Sequence, residues 1–192
     1  MIKHIFKMKT SVKTTIIEME QSHSIKKIVA IGPESTGKST LTQQLAAHYE
    51  TTFVPEYARE YIEKLGRNYE ENDLLEIAKG QIRLEEQELL MAKNYLFCDT
   101  DLTVIKVWSL NAYQRCNELI LEMLDNQRYD LYLLCGVDIP WEYDPQREHP
   151  RLRSYFYEIY KQELQKRNLP FIELEGTREI RLQMAIQKIK TL

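Results

Sequence analysis

The sequence predicts an α/β fold, a five-stranded parallel sheet with helices on both faces. Three observations predict it. Short apolar runs alternate with helix-length amphipathic segments, the runs are continuous as buried parallel strands require, and no internal repeat interrupts the alternation. At 192 residues the chain suits one domain with a core and a cleft between its layers.

Residues 1–24 mix Lys, Thr, Ser and Glu without a sustained period and read as a flexible arm, leaving 25–192 as the globular domain. KKIVAIG is a short apolar run ending in glycine, the first strand. STLTQQLAAHY follows as a helix with Leu41, Leu45 and His48 on one face. TTFV reads as the second strand and EYAREYIEKLG as a helix stopped by Gly66. NDLLEIAKGQIRLEEQELLMAK is a long helix capped by Asn72, with Leu75, Ala78, Ile82 and Leu89 as its buried stripe. YLFCD is the third strand, and helical segments run from it to about residue 125. YDLYLLCG is the fourth strand, closed by a glycine. VDIPWEYDPQREHPR is too polar and too rich in Pro, Asp and Arg for a regular element. It reads as a mobile loop, a lid over about 138–153, leading into the helix RSYFYEIYKQELQKR. LPFIELEG is the fifth strand and TREIRLQMAIQKIK the last helix, with Leu182, Ile186 and Ile189 in register.

Composition narrows the function. No apolar run approaches the ~20 residues a membrane span needs, and Lys7 and Lys9 break up the N-terminal run that a secretory signal would require. The three cysteines, Cys98, Cys116 and Cys135, lack metal-ligand spacing and read as reduced core residues of a cytosolic protein. With 26 Lys and Arg against 29 Asp and Glu, the formal charge of −3 supplies no basic field for nucleic acid. The expected partner is a small molecule.

Gly32 to Ser39, GPESTGKS, matches G-x-x-x-x-G-K-[ST] between a buried strand and an amphipathic helix, the context a phosphate loop requires. Backbone amides of such a loop face phosphate oxygens, and the helix adds the positive end of its dipole. Gly32, Glu34, Ser35, Thr36, Gly37 and Thr40 are thus candidate ATP contacts. Lys38 is assigned to the β- and γ-phosphates and Ser39 to Mg²⁺.

Carboxyl ends of strands line the ligand crevice of an open α/β sheet, which directs attention to Asp99, Asp101 and Glu56. Asp99 fits the acid that holds Mg²⁺, and Asp101 a second water or the acceptor. Either would also serve as the cap of the helix from Leu102. Glu56, after the second strand, is the candidate general base, with Asp101 the alternative proton acceptor, or else a first-turn helix charge, and Arg59, one turn along, is placed to pair with Glu56 or to bind phosphate. Arg147, Arg151 and Arg153 suit the charge of a transferring phosphoryl group, unless Asp144 and Glu148 neutralise them on a solvated loop. Trp141 is a candidate for stacking on a ring or for anchoring the loop.

The phosphate loop, VPEYAREYIEKLGR, LLEIAKGQ, FCDTD, VDIPWEYDPQREHPRLR and GTREIR together resemble the NadR-like ribosylnicotinamide kinase family, over roughly Ile25 to Leu192. The resemblance implies a P-loop kinase that uses ATP to phosphorylate the 5′-hydroxyl of nicotinamide riboside, a step of NAD salvage. It also implies that Lys38 and Ser39 bind Mg·ATP, that Asp99 and Asp101 sit at the metal and acceptor, and that Arg147 to Arg153 form the lid. Thr177 and Arg178 would flank the adenine, Tyr57 would join Glu56 and Arg59 in binding the substrate, and Gln81 would bind a carboxamide, its alternative being an exposed helix position. The bifunctional regulators of this family carry further regions before the kinase, so this chain reads as the kinase part alone. They also have tryptophan where this sequence has Pro55. Alternative functions are a kinase of another nucleoside or nucleotide, or a P-loop ATPase acting as a regulatory switch.

Overall fold

A computed structural model describes residues 25–192, and the arm expected over 1–24 lies outside them. β1 (Lys26–Ile31), β2 (Phe53–Val54), β3 (Tyr95–Asp99), β4 (Leu131–Cys135) and β5 (Phe171–Leu174) form one sheet in the order β2-β3-β1-β4-β5. Every pairing is parallel, as the apolar runs imply. The helices among the described residues are α1 (Lys38–His48), α2 (Tyr57–Leu65), α3 (Glu71–Leu89), α4 (Leu102–Tyr113), α5 (Glu118–Asn126), α6 (Arg153–Lys166) and α7 (Arg178–Ile189).

Successive side chains of a strand point to opposite faces, and β1 shows both being covered. Ile28 and Ala30 lie under Leu41 and Leu45 of α1 and Ile186 and Ile189 of α7. Val29 and Ile31 lie under Val107 of α4 and Tyr160 and Leu164 of α6. A third cluster, with Leu74, Ile77, Leu102 and Ile120, packs α2, α3, α4 and α5 together. Because β3 and β4 flank β1 and the chain crosses from one to the other, the strand order reverses at β1. The crevice at the carboxyl ends opens there. Cys98 and Cys135 are buried in β3 and β4, Cys116 is half-buried, and all three are free. No helix among the described residues is long and apolar enough to cross a membrane.

Three local expectations are corrected. α3 starts at Glu71, so Asn72 lies inside the first turn. A capping box of Glu70 and Asp73 does the capping, with Asp73 accepting the Glu70 N–H at 2.7 Å. Arg67 and Tyr61 hold Asp73 for that role. The buried face of α3 carries Leu74, Ile77, Ala78, Gln81 and Glu85, and of the expected stripe only Ala78 is fully buried. Gln81 and Glu85 are polar, so a count of apolar positions places the stripe one residue off. His48 is exposed, and Thr42 and Ala46 complete the inner face of α1 instead.

Candidate active site

β1 delivers the chain into Gly32, which takes φ 138°. A Cβ there would meet the Cys135 carbonyl at 2.7 Å, so only glycine fits. Ser35 at φ 54° and Gly37 at φ 80° are left-handed, the alternation from which backbone anion nests are built, and α1 starts immediately after them. Lys38 Nζ donates to the Pro33 carbonyl at 2.8 Å, across the loop. Gly32, Glu34, Ser35, Thr36, Gly37, Lys38, Ser39 and Thr40 all line one cleft of about 720 Å³.

Glu56 lines the same cleft from the end of β2, at the N-cap position of α2. Its side chain is 25% exposed, yet desolvation deep in the cleft raises its pKa, Asp99 raises it further, and Lys38 and Arg59 oppose the rise. Arg59 stands 3.9 Å from Glu56 and pairs with Asp144 at 2.9 Å. Asp99, at the end of β3, is 2% exposed and does not itself line the cleft, lying behind Ser39, which does. Burial raises its pKa against the pull of Lys38 and a hydrogen bond from Ser39, and its Oδ1 has no hydrogen-bond partner among the described residues.

The segment from Asp138 to Arg153 packs across the loop. The Glu34 carboxylate accepts the N–H groups of Glu148 and His149 at 3.1–3.2 Å, and Ser35 Oγ accepts that of Glu142 at 2.9 Å. Arg147 lines the cleft and donates to Ser35 Oγ and the Glu142 carbonyl. Arg153 lines it too, as the first residue of α6. Arg178 also lines it and pairs with Glu142.

Other expected site residues lie elsewhere. Asp101 is fully buried as the N-cap of α4, accepting from Thr103 N at 3.0 Å and Thr103 Oγ1 at 2.8 Å. It does not line the cleft. Burial pushes its pKa up to about 6 against those two hydrogen bonds. Gln81 is neither exposed nor in the cleft. Its amide oxygen accepts the Tyr57 N–H at 2.8 Å and its NH₂ donates to the Pro55 carbonyl, which fixes the entry to α2. The Tyr57 ring lies against Gly80 of α3 and faces away from the cleft. Trp141 sits under the Arg147 guanidinium at 6.0 Å, outside the cleft lining, so it anchors the segment. Arg151 is exposed and off the cleft, and Thr177 caps α7 through the Ile180 N–H.

The far end of the cleft is aromatic, which sequence reasoning missed. Trp108 Nε1 donates to Tyr69 Oη at 2.9 Å, and the two rings meet edge to face at 4.7 Å. Val104, Val107, Trp108 and Asn111 all line it, an i, i+3, i+4, i+7 spacing on α4 that was readable as one helical face.

A family model described as an AAA domain matches residues 27–181. The chain belongs to that family. A curated relative is the trifunctional NAD biosynthesis/regulator protein NadR of Escherichia coli, strain K12. It is 26% identical over 159 residues, covering 79% of this chain and 38% of NadR. The chain thus spans about two fifths of that relative's length. Among solved structures, a NadR protein in complex with NR superposes with a TM-score of 0.75 at 22% identity, over 88% of this chain and 52% of that one. Thymidylate kinase from Candida albicans superposes with a TM-score of 0.64 at 14% identity, over 87% and 92%. These likenesses establish the fold of P-loop nucleoside and nucleotide kinases, the fold expected from the sequence.

Proposed function

We propose that this chain is an ATP-dependent kinase that phosphorylates nicotinamide riboside at its 5′-hydroxyl, giving nicotinamide mononucleotide for NAD salvage. The observation that carries the reading is that Glu56 and Lys38 face one cleft, a carboxylate of raised proton affinity opposite a phosphate loop. Its likeness to NadR, which is a NAD biosynthesis protein in Escherichia coli, points to the acceptor.

The loop amides and Lys38 hold and neutralise the triphosphate. Glu56 takes the proton of the acceptor hydroxyl, whose oxygen bonds to the γ-phosphorus as the bond to the β-phosphate oxygen breaks and ADP leaves. Asp99 and Ser39 fit a Mg²⁺ site, since a buried carboxylate oxygen without a partner stands beside the loop hydroxyl. Mg²⁺ bound there would supply charge neutralisation on the phosphate oxygens. Arg147 and Arg153, on the proposed lid, close the cleft over the loop and exclude water. A kinase of another nucleoside is the second reading, favoured by Pro55, which offers no stacking ring beside Glu56. Coupled ADP release measured over nicotinamide riboside and the common nucleosides tests both. ADP release that no acceptor accelerates contradicts the kinase reading.

A further inference from the structure

Two guanidinium groups grip the phosphate loop by its carbonyls. Arg181 of α7 is 2% exposed. It donates through Nη1 to the Thr36 carbonyl at 2.8 Å, through Nε to the Gly176 carbonyl at 3.0 Å, and through Nη2 to the Gly136 carbonyl at 3.1 Å and to Asp138. Arg153 donates through Nη2 to the carbonyls of Ser35 at 3.1 Å, Val137 at 3.1 Å and Ile139 at 2.7 Å. Consecutive loop carbonyls, Ser35 and Thr36, are therefore each held by an arginine.

In a trans peptide the C=O and the following N–H point opposite ways. A carbonyl tied to a guanidinium thus fixes the direction of the next amide, here Thr36 N–H and Gly37 N–H, two donors of the nest. Ser35 needs such support, because a non-glycine residue at φ 54° is unfavourable and persists only where its surroundings hold it. Asp138 completes the arrangement. One carboxylate oxygen takes Arg181 Nη2 and the other accepts the Gly176 N–H, which orients the fork and compensates a charge removed from water.

We propose that Arg181, oriented by Asp138, is a positioning residue for the kinase. It sets the phosphate-loop amides toward the triphosphate and ties them to the end of β4 and to the turn before α7. The inference rests on the nucleotide-binding reading of the loop. Lysine is no substitute, because one ammonium cannot present a planar fork to these acceptors.

The test is calorimetric binding of Mg·AMP-PNP to the full chain, paired with steady-state kinetics. Arg181→Lys and Arg181→Ala are expected to weaken analogue binding by about tenfold or more and to raise KM for ATP, with KM for the acceptor unchanged. Guanidinium ion is expected to restore part of the affinity of Arg181→Ala. Asp138→Asn is expected to show the same selective loss, smaller in size, and carries the test if Arg181→Ala does not fold. Ile189→Ala, which loosens α7 on its core without touching the loop, lowers Tm but keeps the affinity. Wild-type affinity in both Arg181→Lys and Asp138→Asn, or an equal loss in Ile189→Ala, overturns the proposal. A wild-type chain that does not bind the analogue overturns the nucleotide reading, and this inference with it. Binding without acceptor-dependent turnover overturns the acceptor reading alone and leaves the binding comparison decisive for Arg181.

Discussion

Burial, and after it the Asp99 carboxylate, raises the proton affinity of Glu56, while Lys38 and Arg59, the latter one turn along α2, lower it. A base must be ionised to accept a proton, so the acid limb of kcat/KM should lie above the ordinary carboxylate range. Arg59→Met removes one of the charges that favour the ionised form and should move that limb to higher pH. An unmoved limb would show that another group titrates. Glu56→Gln should retain ATP binding and lose turnover by roughly 10²–10⁴-fold, the usual share of a general base.

Asp101 carries a different pH signature. Its folded pKa of about 6 exceeds its ordinary value of 3.8. A raised carboxylate adds stability that is fully present below the unfolded-chain pKa and lost as pH rises through the folded one, here between 3.8 and about 6. Asp73 runs the other way. Its hydrogen bonds from Arg67 lead the causes that lower its pKa to about 2, so its contribution is present above 3.8 and lost as pH falls toward 2. Asp101→Asn keeps a capping side chain but cannot ionise, so denaturation midpoints at pH 4.5 and pH 7 should differ less than in the wild type. Turnover by Asp101→Asn should survive, since Asp101 lies off the cleft, and its abolition would restore Asp101 to the catalytic site.

The entry to α2 rests on α3. Gln81→Leu leaves the Tyr57 N–H and the Pro55 carbonyl without their partner, which should cost about 1–3 kcal/mol and lower Tm by several degrees. Gly80→Ala would bring a Cβ within 2.0 Å of the Tyr57 ring and should cost about 1–3 kcal/mol by overpacking. Both changes displace the turn that carries Glu56, so kinetics should show KM for the acceptor rising while ATP affinity holds. Loss of ATP affinity in either variant would contradict this division of labour.

Much of the candidate site was legible because the residues that build it are compressed in sequence. The phosphate loop occupies one strand-to-helix turn, and Glu56 and Asp99 end strands whose apolar runs are unmistakable. What was misread turned on backbone direction and on buried polar side chains. Thr100, at φ 77°, turns the chain between Asp99 and Asp101, so carboxylates two residues apart diverge, one beside the loop and one into a helix cap. Gln81, Glu85 and Arg181 occupy buried helix faces that a hydrophobic count assigns to solvent. Tyr69 and Trp108 meet only in the folded chain, and an aromatic on a helix reads from sequence as core.

Lys38→Ala should abolish detectable Mg·ATP binding while the protein remains folded, because the proposed role of Lys38 is to supply charge to the triphosphate, whereas in the resting structure it makes a single loop hydrogen bond. Calorimetry beside a melting curve checks both halves, and retained affinity would contradict the role.

The most direct measurement is product analysis by mass spectrometry after the purified chain is incubated with Mg·ATP and nicotinamide riboside. ADP and nicotinamide mononucleotide should form in equal amounts with the wild type, and neither with Lys38→Ala. ATP consumed without nicotinamide mononucleotide would contradict the proposed reaction.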